Sequence, residues 1–144
     1  MRIIPTEPGF VPSASARERA TAVLRRALPL ADDIASHVSA EIRFVDCGAN
    51  FETVRCPYCG ADLGEWWAEV MEIGQEQHFR DLRVTTPCCG TASALNRLVY
   101  SAPAGFARYV VEVLNPGVDR LPERVKHQLE QVFGSSLRLV WADY

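Results

Sequence analysis

The feature that most limits what this chain can fold into is a pair of short cysteine segments, Cys56-Pro57-Tyr58-Cys59-Gly60 and Thr86-Pro87-Cys88-Cys89-Gly90, thirty residues apart. A C-x-x-C turn closed by glycine brings two sulfurs within about 3.5–4 Å of each other, close enough to share a tetrahedral cation at about 2.3 Å per Zn–S bond. The second segment supplies the remaining sulfurs less regularly. Aligned on proline and glycine, Thr86 occupies the place of a first cysteine, Cys89 keeps the normal place, and Cys88 takes the position of the variable residue. Adjacent cysteines reach one metal only across a kink in the backbone, which the flanking proline and glycine favour. The expected ligands are therefore Cys56, Cys59, Cys88 and Cys89 around a structural Zn²⁺. His78 is the leading substitute should Cys88 turn away, with Cys47 the other candidate.

The paired segments resemble the knuckles of a zinc ribbon. The longer string Asp81-Leu82-Arg83-Val84-Thr85-Thr86-Pro87-Cys88-Cys89-Gly90, followed by Pro103-Ala104-Gly105-Phe106-Ala107-Arg108, is similar to an uncharacterised family of bacterial zinc-ribbon-like proteins, over most of the chain. That resemblance implies no reaction and no substrate. Locally, Cys56-Pro57-Tyr58-Cys59 is identical to the redox motif of glutaredoxins, and Thr85-Thr86-Pro87 is similar to the Thr-x-Pro that faces such a motif. A glutaredoxin needs its second cysteine inside the first turn of a long helix, which lowers the pKa of the attacking thiol. Here Gly60 follows at once and Gly64 soon after, and a dithiol enzyme has no use for Cys88 and Cys89.

A chain of 144 residues is long enough to bury a real core, and 48% hydrophobic with 23% charged residues is a globular composition. Met1-Arg2-Ile3-Ile4 runs into Pro5 and Pro8 without an apolar stretch, and nowhere do about 20 apolar residues follow one another as a membrane span requires. A cytoplasmic location is expected, where five clustered cysteines suit a metal better than disulfides. Cys47, the spare, reads as a small buried hydrophobe.

Arg2-Ile3-Ile4 is short enough for an edge strand. Ser15-x-x-Glu18 has the form of a capping box, with Ala16, Ala20, Val23, Leu24, Ala27 and Leu28 following at helical spacing until Pro29. Val38, Ala40, Ile42 and Phe44 alternate with Ser39, Glu41 and Arg43, the period of a strand with one buried face, and Phe51 to Arg55 forms a second short strand. Towards the other end, Tyr109 to Leu114 reads as a strand, Asn115-Pro116-Gly117 as a turn, Pro122 as a helix start and Gly134 as its stop. Val125, Leu129, Val132 and Phe133 make that helix's apolar stripe, and Leu137 to Trp141 is the closing strand. Two strand–helix–strand units thus flank the cysteines. The fold class is α+β, a ferredoxin-like pair of βαβ units (1–46 and 106–144) with a zinc-ribbon insert (47–105) between them.

Within the insert, Trp66, Trp67, Val70, Met71 and Ile73 fall on one side of a short helix, with Glu65, Glu69, Glu72 and Glu76 on the other. The two flanking units are each electrically balanced, so the net charge of −3 lies in the insert, where seven acids face four arginines. A zinc ribbon that holds nucleic acid needs a basic face to displace counterions, so nucleic-acid binding is disfavoured. With four cysteine ligands no vertex is open to water, and no Ser-His-Asp string or phosphate-cradling loop is present, which disfavours an enzyme. Should Cys88 not be a ligand, an open site would bring His78 or Glu76 into play. The expected role is a small zinc-binding protein-interaction module, of a kind that can mask a basic surface as immunity or antitoxin proteins do. The glutamate stripe with Trp66, and Phe106 and Arg108 beside the knuckles, are its candidate contacts with a basic protein partner. Short and acidic, the insert is expected to depend on the metal in place of a hydrophobic core.

Overall fold

A computed structural model describes residues 1–142. In chain order the elements are β1 (Arg2–Pro5), α1 (Ala14–Ala27), β2 (Asp33–Val45), β3 (Val54–Arg55), α2 (Gly64–Glu76), β4 (Arg83–Thr85), β5 (Ala92–Ala94), a 3-10 turn (Leu95–Arg97), β6 (Val99–Tyr100), β7 (Gly105–Leu114), α3 (Glu123–Phe133) and β8 (Leu137–Val140). The protein is a mixed α+β fold built on antiparallel sheets. Four strands from the two ends of the chain form the main sheet in the order β2-β7-β1-β8, and β3-β6 and β4-β5 form two small ladders in the middle third.

β7 is the spine of the main sheet. Its alternation places Tyr109, Val111 and Val113 on one face, where α1 and α3 cover them. Each helix contributes one apolar residue per turn: Ala16, Ala20 and Leu24 from α1, and Val125, Leu129 and Phe133 from α3. Ile3, Ile34 and Leu137 complete that core. α1 starts two residues earlier than the capping-box pattern suggests: Ser13, not Ser15, is the N-cap, its hydroxyl accepting the Ala16 N–H at 3.1 Å. α3 ends as expected at Gly134, which has φ +75° and donates its N–H to Glu130 O at 2.9 Å.

β2 departs from the expected alternation. It begins at Asp33, pairs with β7 from Asp33 to Val38, slips, and resumes at Arg43 to Val45. Before the slip Ile34 packs into the main-sheet core; after it Val45 is buried in a different cluster, while Ile42 and Phe44 pack, as expected, half-buried against the insert. Val38, expected inside, is 49% exposed, and Ala40 is exposed with it. The cause is position: β2 is an edge strand, and a bulge there costs little pairing while bending the edge.

The middle third, expected to lack a hydrophobic core, packs around a buried cluster that it shares with β2 and β7. Val54, Cys56, Leu63, Phe79, Leu95, Leu98 and Phe106 are buried together, with Trp66, Trp67, Val70 and Met71 of α2 packed against them. Trp67 is the hub, stacked on Phe51 at 5.1 Å and edge-on to Phe44 at 5.8 Å, its indole N–H donating to the Tyr100 hydroxyl at 3.2 Å. His78 and Phe79 both adopt positive φ (58° and 50°), which turns the chain back under the helix. Gly74 makes room for it, since a Cβ there would stand 2.8 Å from the Phe79 ring. A third cluster, of Ile4, Val45, Cys47, Ala104, Ala107 and Val140, joins this region to the main sheet.

Candidate metal centre

Each cysteine segment caps a hairpin, and the two are built alike. In the first, Cys56 N donates to Ala61 O (2.9 Å), Gly60 N to Cys56 O (3.0 Å), and Gly60 has φ +74°. In the second, Thr86 N donates to Thr91 O (3.0 Å), Gly90 N to Thr86 O (2.9 Å), and Gly90 has φ +68°. The left-handed glycine lets the chain close the turn after the cysteine, with no Cβ to oppose it. Cys56 and Thr86 are the inner residues of their turns, 2% and 1% exposed. Tyr58 and Cys88 occupy the same outer position, and both are exposed.

The hairpin tips meet. Cys56 Sγ lies 3.8 Å from Cys89 Sγ, Cys59 Sγ 3.2 Å from Cys88 Sγ, and Cys88 Sγ 3.9 Å from Cys89 Sγ. The four sulfurs all lie within 4.8 Å of one another, a group that could hold a metal ion. Sulfurs bound at about 2.3 Å to a tetrahedral centre are separated by about 3.8 Å, so the donor set and its size fit a thiophilic cation such as Zn²⁺. The adjacent cysteines contribute because Cys88 reaches in from the outer position of its turn.

Hydrogen bonding divides the four thiols. The Thr86 hydroxyl, 3.4 Å from Cys89 Sγ, and the Thr91 hydroxyl, 3.3 Å from it, bring the Cys89 pKa down to about 6. Cys88 is pushed up to about 12, chiefly by sharing a proton with Cys59. For Cys56, burial opposes ionisation but is outweighed by the backbone N–H groups of Cys59 and Tyr58, and its pKa falls.

The other candidate ligands lie elsewhere. His78 Nδ1 is 2.7 Å from Glu41 Oε2, pinning the end of α2 to the bulge of β2. Cys47 is fully buried in the third cluster, its Sγ 4.0 Å from Ala102 O, and burial raises its pKa. It is the small buried hydrophobe expected from the sequence.

Of the candidate partner contacts, Glu65, Glu69, Glu72 and Glu76 are all exposed along α2, while Trp66 is half-buried against the insert core. Phe106 must be withdrawn from that set. At 2% exposure, with ring centroids 5.2 Å from Phe44 and 5.3 Å from Phe79, it ties the insert to the sheet and reaches no surface. Arg108 is half-buried and committed, its Nε donating to Ser39 O at 3.0 Å. A groove of about 630 Å³ that the sequence did not announce runs between α2 and the end of β2. Phe44, Trp67, Met71 and Phe79 line it, with Glu72 and Arg43 at its rim. The hydroxyls of Thr86 and Thr91 beside Cys89 were foreshadowed by the alignment of Thr86 with Cys56, and the placing of Thr91 directly after Gly90 was the further signal.

No protein-family model matches the chain, and neither a curated protein nor a solved structure is similar to it. Among the described residues, no helix is long and apolar enough to cross a membrane.

Proposed function

We propose that this protein is a zinc-stapled interaction module that docks a basic protein partner on the acidic face of α2. The strand order β2-β7-β1-β8, antiparallel throughout and with a helix between the strands of each end unit, is the order of a ferredoxin-like split βαβ pair, which supports that architecture for the two ends of the chain. Two glycine-closed hairpins with converging sulfurs support a zinc-ribbon insert. Zinc held by Cys56, Cys59, Cys88 and Cys89 has no vertex left for water, so it contributes to folding and not to Lewis-acid chemistry. The glutaredoxin-like alternative lacks its helix, because α2 begins only at Gly64, beyond the turn that holds Cys59.

What carries the proposal is α2 itself. Glu65, Glu69, Glu72 and Glu76 are exposed on one side of the helix, Glu72 overhangs the aromatic-floored groove, and Ile73, 55% exposed, adds an apolar contact beyond. Carboxylates beside an aromatic surface favour association with cationic side chains, steering the encounter by charge and retaining it by burial. A cytoplasmic protein that covers a basic active site, as an immunity or antitoxin protein does, fits that chemistry.

The test is a charge reversal. Proteins captured by the wild type are compared with those captured by a Glu69→Lys, Glu72→Lys double variant, at low and high salt. A partner of basic pI that is held by the wild type, weakened by salt and lost from the variant is the expected result. Equal capture by both, or capture of nucleic acid in its place, overturns the docking role while leaving the zinc site untouched.

A further inference from the structure

Resting on the zinc reading above, the structure assigns Thr86 the vacated ligand position of the second knuckle, where it acts as a positioning residue for Cys89, while Cys88 supplies the fourth sulfur from a position one knuckle never uses. The two turns correspond residue for residue at an interval of thirty: Val54 with Val84, Cys56 with Thr86, Tyr58 with Cys88, Cys59 with Cys89, Gly60 with Gly90. The correspondence is physical as well as sequential. Both turns close with the same pair of backbone hydrogen bonds and the same left-handed glycine, and Cys56 and Thr86 are the buried residue of each.

Thr86 fills that buried position with a fully engaged hydroxyl. Its Oγ1 accepts the Thr91 N–H at 3.2 Å, donates to Thr91 O at 3.3 Å and lies 3.4 Å from Cys89 Sγ, a second acceptor within reach of the same proton. A metal-bound Cys89 carries no proton, so its negative sulfur competes with Thr91 O for the one Thr86 hydroxyl proton; a charged acceptor is the stronger, and Thr91 O keeps the Thr86 N–H at 3.0 Å when the hydroxyl turns to sulfur. The Thr91 hydroxyl, 3.3 Å from the same sulfur, is a second donor. Hydroxyl donors of this kind fix the orientation of a ligand and disperse the charge of an all-thiolate centre, which here carries a formal charge of about −2.

Two consequences are measurable on the purified protein by competitive titration with Zn²⁺ and by the absorption of the Co²⁺-substituted form, whose thiolate-to-cobalt intensity reports the number of sulfur ligands. Cys88→Ser alone weakens metal binding by more than the roughly 10–100-fold of an outer-sphere change, with one thiolate fewer in the cobalt spectrum. Restoring the regular knuckle with Thr86→Cys in that background brings the affinity back to within about tenfold of the wild type and the spectrum back to four thiolates.

Separately, Thr86→Val weakens binding about 10–100-fold and shifts the charge-transfer band, while Thr86→Ser keeps both near the wild type. If the double variant binds no better than Cys88→Ser, the knuckles are not equivalent. If Thr86→Val matches the wild type in affinity and spectrum, the hydroxyl is not a positioning group. Either result ends this inference and leaves the zinc site standing. A wild-type chain that takes up no metal ends both.

Discussion

On one side of the main sheet, α1 and α3 lay Ala20, Leu24, Val125, Leu129 and Phe133 against Ile3, Tyr109, Val111 and Val113, and nothing but apolar packing is needed. In the middle third, α2 has no fully buried residue. It rests its half-buried Trp66, Trp67, Val70 and Met71 on a smaller cluster gathered from β3, the loops and the neighbouring strand β7. The hairpins beyond that cluster are two or three residues long per strand. Strands so short do not hold their register unaided, and four sulfurs converge where packing runs out. The contrast separates two jobs: aromatic packing positions the insert on the sheet, and a cation held by the four sulfurs would close its far end.

Removing the metal should break this comparison most visibly. Structural zinc sites bring on the order of 10 kcal/mol of apparent binding free energy, all of it lost to a strong chelator. Hydrogen exchange on the chelated protein is expected to show protection lost at the Gly60, Thr86 and Gly90 amides, with Val111 and Val113 in β7 unaffected. Global unfolding on chelation would mean that the insert core is not self-sufficient and that the sequence-based expectation was right.

Leu129→Ala probes the opposite region. Leu129 is fully buried between α3 and the sheet, and truncation of such a leucine costs about 2–5 kcal/mol through lost burial and the cavity left behind. The loss should be read as a lowered denaturation midpoint with zinc affinity unchanged in the folded protein. A parallel fall in metal affinity would show that the two regions fold as one unit.

Gly74→Ala sharpens the account of the insert core. In a helix interior alanine is favoured over glycine by about 1 kcal/mol, but its Cβ would stand 2.8 Å from the Phe79 ring. Overpacking of that kind costs about 1–3 kcal/mol, so the net change is expected to be a modest destabilisation, confined to α2 and the Phe79 turn. A stabilised Gly74→Ala protein would show that the ring moves aside freely and that the fit is loose.

These comparisons also explain which parts could be read in advance. α1 and α3 were legible because each keeps an apolar residue at every fourth position against one continuous core. The cysteine quartet was legible because ligand spacing is a local property of two turns. The insert core was not, since Val54, Leu63, Phe79, Leu95 and Leu98 come from separate segments and are outnumbered locally by exposed acids. Phe106 was misplaced for the same reason: a turn feeding an aromatic residue reads alike whether the ring lies against Phe44 and Phe79 or faces solvent. The slip in β2 left no sequence mark, as an edge strand with one half-wet face tolerates Val38 and Ala40 outside.

The smallest effect concerns how the helix layer is started. Ser13 and Ser15 both precede an apolar run, and Ser15 has the glutamate three residues on that a capping box requires. Geometry decides for Ser13, whose hydroxyl accepts the Ala16 N–H, and Ser15 lies within the first turn, exposed. Ser13→Ala should therefore cost about 1 kcal/mol by leaving that N–H without its partner. Ser15→Ala should change stability by no more than a few tenths of a kcal/mol, in the favourable direction, since alanine is the better helix former at an exposed site. Equal losses would place the cap at both serines, with α1 alternating between two starts. A loss at Ser15 alone would move the first turn of α1 by two residues, away from the register that buries Ala16, Ala20 and Leu24.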